Sequence, residues 1–341
     1  MARPFLRAST VCRSCPRLDM RGLTREEFAQ WDGQQPLILT NATHVSQPSA
    51  GDEDGSRFWL EWRQDLARRH RDRPLRYTRR LQDGGRDIAW TRLGDFLDVL
   101  DASAPRTPEP NLFAFEQDPA FSEEVLRPKM LPPLLNGTDF FEAYFPKSWC
   151  PNKYSLLLGT PGARSAVHTD PFGWTGWNLL LLGRKRWRFV RPGYDAENAL
   201  YVEKPARVNL ATHGESPVDL YATAQVPASG ELDSTFTAGP DLSRFPRAAE
   251  AEIAVEVDQE AGEAIVFPAS WWHQTFHLTP TLALASQYVN ENCARRVLDG
   301  IADRAGLSEG CLDESWRTLP WPEQISQLLM ALEADGWVQR S

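Results

Sequence analysis

Cysteine is sparse in this chain, five in 341 residues, which excludes the disulfide framework that staples small secreted domains. A reducing compartment, cytoplasmic or nuclear, fits that usage. Cys12 and Cys15 form one CxxC with no second pair at zinc-site spacing, so an N-terminal segment without metal is the favoured reading. No run approaches the ~18 apolar residues that span a bilayer, and no membrane partner is expected. Positive charge is in the minority, with 37 Lys and Arg against 46 Asp and Glu and a formal net charge of -9. Phosphate neutralisation needs clustered cations, so direct nucleic-acid binding is not expected either. The run holding Arg68, Arg69, Arg71, Arg73, Arg76, Arg79 and Arg80 is a local exception, read as a solvated helix end and following strand rather than a partner-binding patch.

What is present is an ordinary globular composition, 42% hydrophobic and 24% charged, enough for a sizeable core. Residues 1–22 read as a disordered N-terminal segment. Their Arg3, Arg7, Arg13, Arg17 and Arg21 beside a single acid, Asp19, give a mitochondrial transit segment as the alternative. Residues 23–150 read as helices and strands packed on a barrel. Thr24 and Glu27 make a capping box ahead of a short helix, PLILT at 36–40 is an apolar strand, and Phe58, Trp62 and Leu66, then Leu93, Phe96, Leu97 and Leu100, repeat at helical spacing. Segments at 103–111 and 127–138 read as loops. From 151 to 292 the texture is short strands and turns, with an insertion at about 213–250 rich in Gly, Pro, Ser and Ala, read as part of a lid or docking surface or else as a surface loop. Residues 293–341 turn helical. Their stripe Ile325, Leu328, Leu329, Leu332 either packs on the barrel or forms a homodimer surface.

The chain has six histidines, so each can be weighed singly. His168 and Asp170 stand two apart at a strand end, where both side chains point to one face and can share one metal. An HxD pair alone is a weak signal. The third donor is His273 in GEAIVFPASWWHQTFHL, on a strand reached by a Pro-Ala-Ser turn after Phe267. Two histidines and one carboxylate leave three open positions on octahedral iron. His277 lies on the face of His273 but roughly 13 Å along at about 3.3 Å per residue, too far to join it. His44, His70 and His213 read as surface histidines.

Between these motifs runs WNLLLLGRKRWRFV, in which Gly183-Arg184 reads as a two-residue hairpin turn. Counting back pairs Leu182 with Lys185, Leu180 with Trp187 and Asn178 with Phe189, and puts all six on the inward face. A Lys and an Asn among apolar neighbours need partners, because an unpaired buried charge is costly. A bound dicarboxylate would supply one, and a Lys reaching to the barrel rim is the alternative.

HTDPFGWTGWNLLLLGRKRWRFVRP followed by GEAIVFPASWWHQTFHL, with weaker agreement over Leu23 to Thr40, resembles the JmjC branch of the Fe(II)/2-oxoglutarate oxygenases, nearest the phosphatidylserine-receptor-type lysyl hydroxylases. The resemblance implies a mainly β fold, the double-stranded β-helix of cupins and jelly rolls, with flanking N- and C-terminal helices. It implies His168, Asp170 and His273 as ligands of Fe(II), and Lys185 as partner of the distal carboxylate of 2-oxoglutarate, with O2 as oxidant and ascorbate helpful in vitro. By the same carry-over Asn178 lines the site and Ser165 holds cosubstrate, the latter only if the chain is irregular before His168. Two positions depart from the pattern: Ala285 stands where a cosubstrate-holding hydroxyl is usual, and His277 where Asn is usual. The implied activity is hydroxylation of a protein or peptide side chain. The alternatives are N-methyl demethylation, a non-catalytic JmjC binding module, and a cupin enzyme without 2-oxoglutarate. The acidic balance suits a basic peptide partner.

Overall fold

In the computed structural model, residues 15–43, 56–80, 85–100, 111–125, 134–135, 139–147, 150–202, 214–224, 236–307 and 315–336 are described. The chain opens with β1 (Arg17–Asp19), α1 (Arg25–Ala29), β2 (Leu37–Thr40), α2 (Ser56–Arg69), β3 (Pro74–Arg80), β4 (Arg86–Arg92), α3 (Leu93–Val99), β5 (Leu112–Glu116), α4 (Pro119–Val125) and α5 (Phe140–Tyr144). There follow β6 (Ser155–Gly159), β7 (Val167–His168), β8 (Thr175–Leu182), β9 (Arg184–Val190), α6 (Tyr194–Ala199) and β10 (Glu215–Ser216). The last elements are β11 (Ile253–Glu260), β12 (Ala264–Phe267), β13 (Trp272–His277), β14 (Thr281–Tyr288), α7 (Glu291–Arg304) and α8 (Trp321–Ala334).

The strands form two sheets, one of nine in the order β1-β2-β12-β8-β14-β6-β5-β3-β4 and one of five in the order β10-β7-β13-β9-β11. This is the mainly β architecture expected of a jelly roll. The larger sheet begins at Arg17, ahead of the boundary expected at Leu23, because β1 pairs in parallel with β2. The capping box forms as read: Thr24 accepts from the Glu27 amide and the Glu27 carboxylate accepts from the Thr24 amide, satisfying two amides that a helix start leaves over.

The expected hairpin of β8 and β9 does not form. Gly183 adopts φ +82°, and a Cβ there would strike the Pro280 carbonyl, so the chain turns a corner at a point only glycine fits. β8 continues in the larger sheet between β12 and β14, and β9 enters the smaller one between β13 and β11. The inward face survives for Asn178, Leu180, Lys185, Trp187 and Phe189. Leu182 leaves it, because a register shift between Leu282 and Ala283 on β14 changes the alternation, and Leu182 packs against the outer core.

Alternation along each strand divides the apolar residues between layers. Ile38, Trp187, Phe189, Ile265 and Phe267 fill the space between the sheets. On the outer face of the larger sheet Leu156, Leu158, Leu179, Leu282 and Leu284 meet Trp59 and Leu66 of α2 and Phe96 and Leu97 of α3. Each such fully buried side chain contributes about 1.5–3 kcal/mol. At the C-terminal end Ile325, Leu328 and Leu332 of α8 are buried against Val297 and Ile301 of α7 and Phe140 of α5, so the helical stripe is covered within the chain itself.

The outward face of the smaller sheet is basic in sequence, yet Arg186 and Arg188 are buried. Each stands directly opposite an acid on β11, Asp258 and Glu256 respectively, and is ion-paired with it. The described part of the 213–250 insertion packs over them. Arg186 Nη1 donates to Phe236 O at 2.7 Å, Arg188 Nη1 to Leu220 O at 2.5 Å, and the Leu220 amide to Gln274 Oε1 at 2.8 Å. Val218, Leu220 and Tyr221 complete an apolar layer with Val167, Trp272 and Phe276. This part of the insertion therefore anchors β10 beside β7, the strand that carries His168.

Candidate metal centre

His168 ends β7, and its direct partner across the antiparallel ladder is His273 on β13, so the two rings lie with centroids 4.3 Å apart. Asp170 follows in extended backbone, φ -68° and ψ 150°, ahead of a single 3-10 turn at Pro171–Gly173. Its Oδ1 is 3.8 Å from Nε2 of each histidine. All three donor atoms lie within 4.8 Å of one another, too far for direct hydrogen bonds and near enough for one ion to bridge. Each Nδ1 lies 3.0 Å from a backbone carbonyl, Ala166 O for His168 and Trp271 O for His273. Donation there puts the lone pair on Nε2, the tautomer a metal ligand needs. Two neutral imidazoles and one carboxylate are a donor set that fits Fe(II) with positions left open.

Phe267, Phe189 and Trp187 wall His273 with ring centroids 4.5, 6.0 and 6.1 Å away. Trp187 is fixed by donation of Nε1 to Gln259 Oε1 at 2.9 Å, and Gln259 Nε2 donates to Asn178 O at 2.8 Å.

Deeper between the sheets Lys185 is fully buried. Its Nζ lies 3.4 Å from Asn178 Oδ1, and among the described residues no carboxylate pairs with it. Burial pushes its pKa down from 10.5 to about 7. A buried ammonium next to a neutral amide is a site short of one anion, which a dicarboxylate cosubstrate fits. His277 is the direct cross-strand partner of Lys185 and, as expected, does not join the metal donors. Burial and then the Lys185 charge hold its imidazole well below the ordinary range, so it is neutral. Its Nδ1 meets Thr281 Oγ1 at 2.5 Å.

Ser165 precedes the regular part of β7, where the backbone is irregular apart from a bridge between Arg164 and Phe276. That irregularity turns Ser165 Oγ toward Thr275, whose amide donates to it at 3.2 Å. Thr275 lies between His273 and His277 on the same alternating face. Ala285 is the direct partner of Asn178 on the adjoining strand, so it shares the inward face beside the Lys185 pocket. His70 lies at the end of α2 against the Phe121 ring, away from the site; His44, His213 and Cys12 lie outside the described residues.

A family model described as a cupin-like domain matches residues 31–292. The chain belongs to the cupin-like domain family. Curated relatives of this cupin-like chain carry JmjC names, as the sequence resemblance implies. It is 25% identical over 276 residues to "Lysine-specific demethylase JMJ21" of Arabidopsis thaliana, covering 80% of this chain and 25% of that protein. It is 25% identical over 158 residues to "2-oxoglutarate and iron-dependent oxygenase JMJD4" of Gallus gallus, covering 46% of this chain and 31% of that protein. It is 23% identical over 279 residues to "Bifunctional arginine demethylase and lysyl-hydroxylase psr-1" of Caenorhabditis elegans, covering 81% of this chain and 61% of that protein. The cupin-like chain thus spans 25% to 61% of the length of these relatives.

Sequence reasoning missed two glycines of the cupin-like site. A Cβ on Gly176 would overlap Asp170 Oδ2 and the Phe267 ring, and one on Gly159 would overlap the His277 ring. It also missed the cavity of about 320 Å³ that opens beside His168 and Ser165 toward β3 and β5. No local pattern marks these features, since each depends on what lies across the sandwich.

Proposed function

We propose that this chain is an Fe(II)- and 2-oxoglutarate-dependent oxygenase that hydroxylates a protein or peptide side chain at carbon and releases succinate and CO2. The observation that carries the reading is a fully buried ammonium, Lys185, with no carboxylate partner among the described residues, in the same interior as a convergent His-Asp-His donor set. The bound iron and oxoacid supply the activation of O2 coupled to oxidative decarboxylation. The chain's residues do the rest. His168, Asp170 and His273 hold the ion, and Lys185 with Asn178 orients the distal carboxylate of the cosubstrate. Ser165 and Thr275 offer hydroxyls on the pocket wall, and Trp187, Phe189 and Phe267 exclude water on the His273 side.

The named relatives include hydroxylases and demethylases, and the donor set serves either reaction. The resemblance of the HTD and PASWWH motifs to the phosphatidylserine-receptor-type lysyl hydroxylases favours a stable hydroxylated product. Turnover of 2-oxoglutarate to succinate with iron and ascorbate tests the oxygenase reading, with Asp170→Ala expected to abolish it while the fold persists. Succinate production retained in that variant would remove Asp170 from the metal centre. Lys- or Arg-containing peptides and their methylated forms then separate the two reactions. Gain of one oxygen mass on unmethylated peptide supports hydroxylation, and formaldehyde release without that gain overturns it.

A further inference from the structure

The inner face of the larger sheet continues past the smaller sheet. Gly159, under the His277 ring, is the cross-strand partner of Phe113. Phe113 faces Thr78, and Thr78 faces Ile88. In the adjacent row Leu157 faces Phe115, and Arg76 faces Trp90. Directly opposed residues of antiparallel strands share a face, so these rows form one platform running from the cosubstrate pocket to solvent. It is uncovered, with large apolar side chains on either side of Arg76 and Thr78: Trp90 is 67% exposed, Ile88 52% and Phe115 44%. Exposed apolar side chains gathered on one face in this way mark a binding surface.

The platform forms one wall of the cavity of about 320 Å³ whose opposite wall holds His168, Ser165 and Ala166. Its rim is cationic against the sign of the whole chain. Arg164, Arg86 and Arg76 line it with one acid, Glu215. Arg164 is bound to Asp219 at 3.2 Å, as is Arg80 at 2.5 Å, and Arg86 reaches Glu215 at 3.5 Å. Arg76 is exposed and has no acidic partner among the described residues.

We propose that a polypeptide substrate lies across β4, β3 and β5, with apolar side chains on Trp90, Ile88 and Phe115 and a carboxylate on Arg76, while the residue to be oxidised enters the cavity beside His168. The substrate segment is therefore acidic and apolar next to its target residue, although the chain's net charge alone suits a basic one. This rests on the oxygenase reading for the identity of the reacting site.

The test uses the full chain, loaded anaerobically with Fe(II) and 2-oxoglutarate, and two fluorescein-labelled peptide pools centred on Lys. One pool is flanked by Glu, Phe, Leu and Ala, the other by Arg, Phe, Leu and Ala, and binding is read by anisotropy. The Glu-flanked pool binds about tenfold or more tightly, a difference of about 1.4 kcal/mol. Arg76→Glu reverses that order and leaves 2-oxoglutarate affinity unchanged, and Trp90→Ala weakens both pools alike. Tighter binding of the Arg-flanked pool, binding of neither pool, or a preference indifferent to Arg76→Glu overturns the proposal. Failure to bind 2-oxoglutarate overturns the oxygenase reading instead. The peptide comparison, repeated on the chain without cosubstrate, still decides the platform.

Discussion

Lys185 Nζ and Asn178 Oδ1 meet at 3.4 Å although their strands, β9 and β8, belong to different sheets. The corner at Gly183 makes this contact: a hairpin would have set the two strands side by side, and the corner sets their residues face to face across the interior. The ammonium is thereby held where water cannot reach it and where, among the described residues, one neutral oxygen meets it. Such a group is costly to the free protein and favourable to an anionic ligand, so its effects on stability and on binding have opposite signs.

Replacing it should expose that opposition. Lys185→Met keeps volume and removes the buried charge, and the cosubstrate-free variant should be more stable than the parent. From the depression of the pKa to about 7, the gain below pH 7 is on the order of several kcal/mol. The same variant should require at least about a hundredfold more 2-oxoglutarate, from the loss of a charge-assisted contact of a few kcal/mol. Thermal melts with and without cosubstrate read both effects. A lower melting temperature in Lys185→Met, or an undiminished cosubstrate-induced rise, would remove Lys185 from the pocket.

The pH dependence follows from the same shift. Lys185 in the free protein titrates near pH 7, below its ordinary 10.5, and binding an anion restores the ammonium. Below pH 7 the cation is already present and 2-oxoglutarate affinity is flat with respect to this group. Above it, binding must take up one proton, and affinity falls by about tenfold per pH unit until the bound-state pKa is reached. The free protein does the reverse: because the folded pKa is the lower one, stability rises with pH between about 7 and 10.5. His277, already neutral, adds no charge change in this window. Calorimetric titrations at three pH values with measured proton uptake check it, and a flat affinity above pH 7 would contradict it.

The convergence of His168, Asp170 and His273 was legible because histidine is scarce and the HxD spacing carries its own geometry; the third member of the cluster was marked by the strand-turn-strand pattern around Pro268. Lys185 and Asn178 were placed on the inward face by alternation alone, and alternation is a local property. Sheet membership is not local. Gly183-Arg184 looks the same whether it closes a hairpin or turns a corner, and what decides it is the pairing of β8 with β12 and β14, far along the chain. For the same reason the burial of Arg186 and Arg188 has no local mark in the sequence, since a distant insertion covers them.

Ala285 tests the pocket from its other wall. It stands opposite both Asn178 and Ser155 in strand register and is half-buried, so Ala285→Thr places a hydroxyl beside the Lys185 partner on the cosubstrate side. Affinity for 2-oxoglutarate should not fall and should rise by up to about 1 kcal/mol, the net value of one hydrogen bond. A marked weakening in direct binding measurements would show that the cosubstrate does not pass this wall.

Gly176 tests the metal centre without touching a ligand. It lies on β8 beneath Asp170, and a Cβ there would occupy the space of Asp170 Oδ2 and the Phe267 ring. Its backbone φ is not in the left-handed region, so alanine meets no conformational penalty and the effect is steric. Gly176→Ala should displace the carboxylate from its position 3.8 Å from both imidazole nitrogens. Moving a ligand by its support characteristically costs about 10–100-fold in metal affinity. Gly239→Ala is the control, since a Cβ there meets nothing within 4 Å, and its Fe(II) affinity should equal that of the parent. Anaerobic Fe(II) titration with circular dichroism on the same samples decides the matter: Gly176→Ala with native spectra and unchanged metal affinity would show that Asp170 is not held against β8.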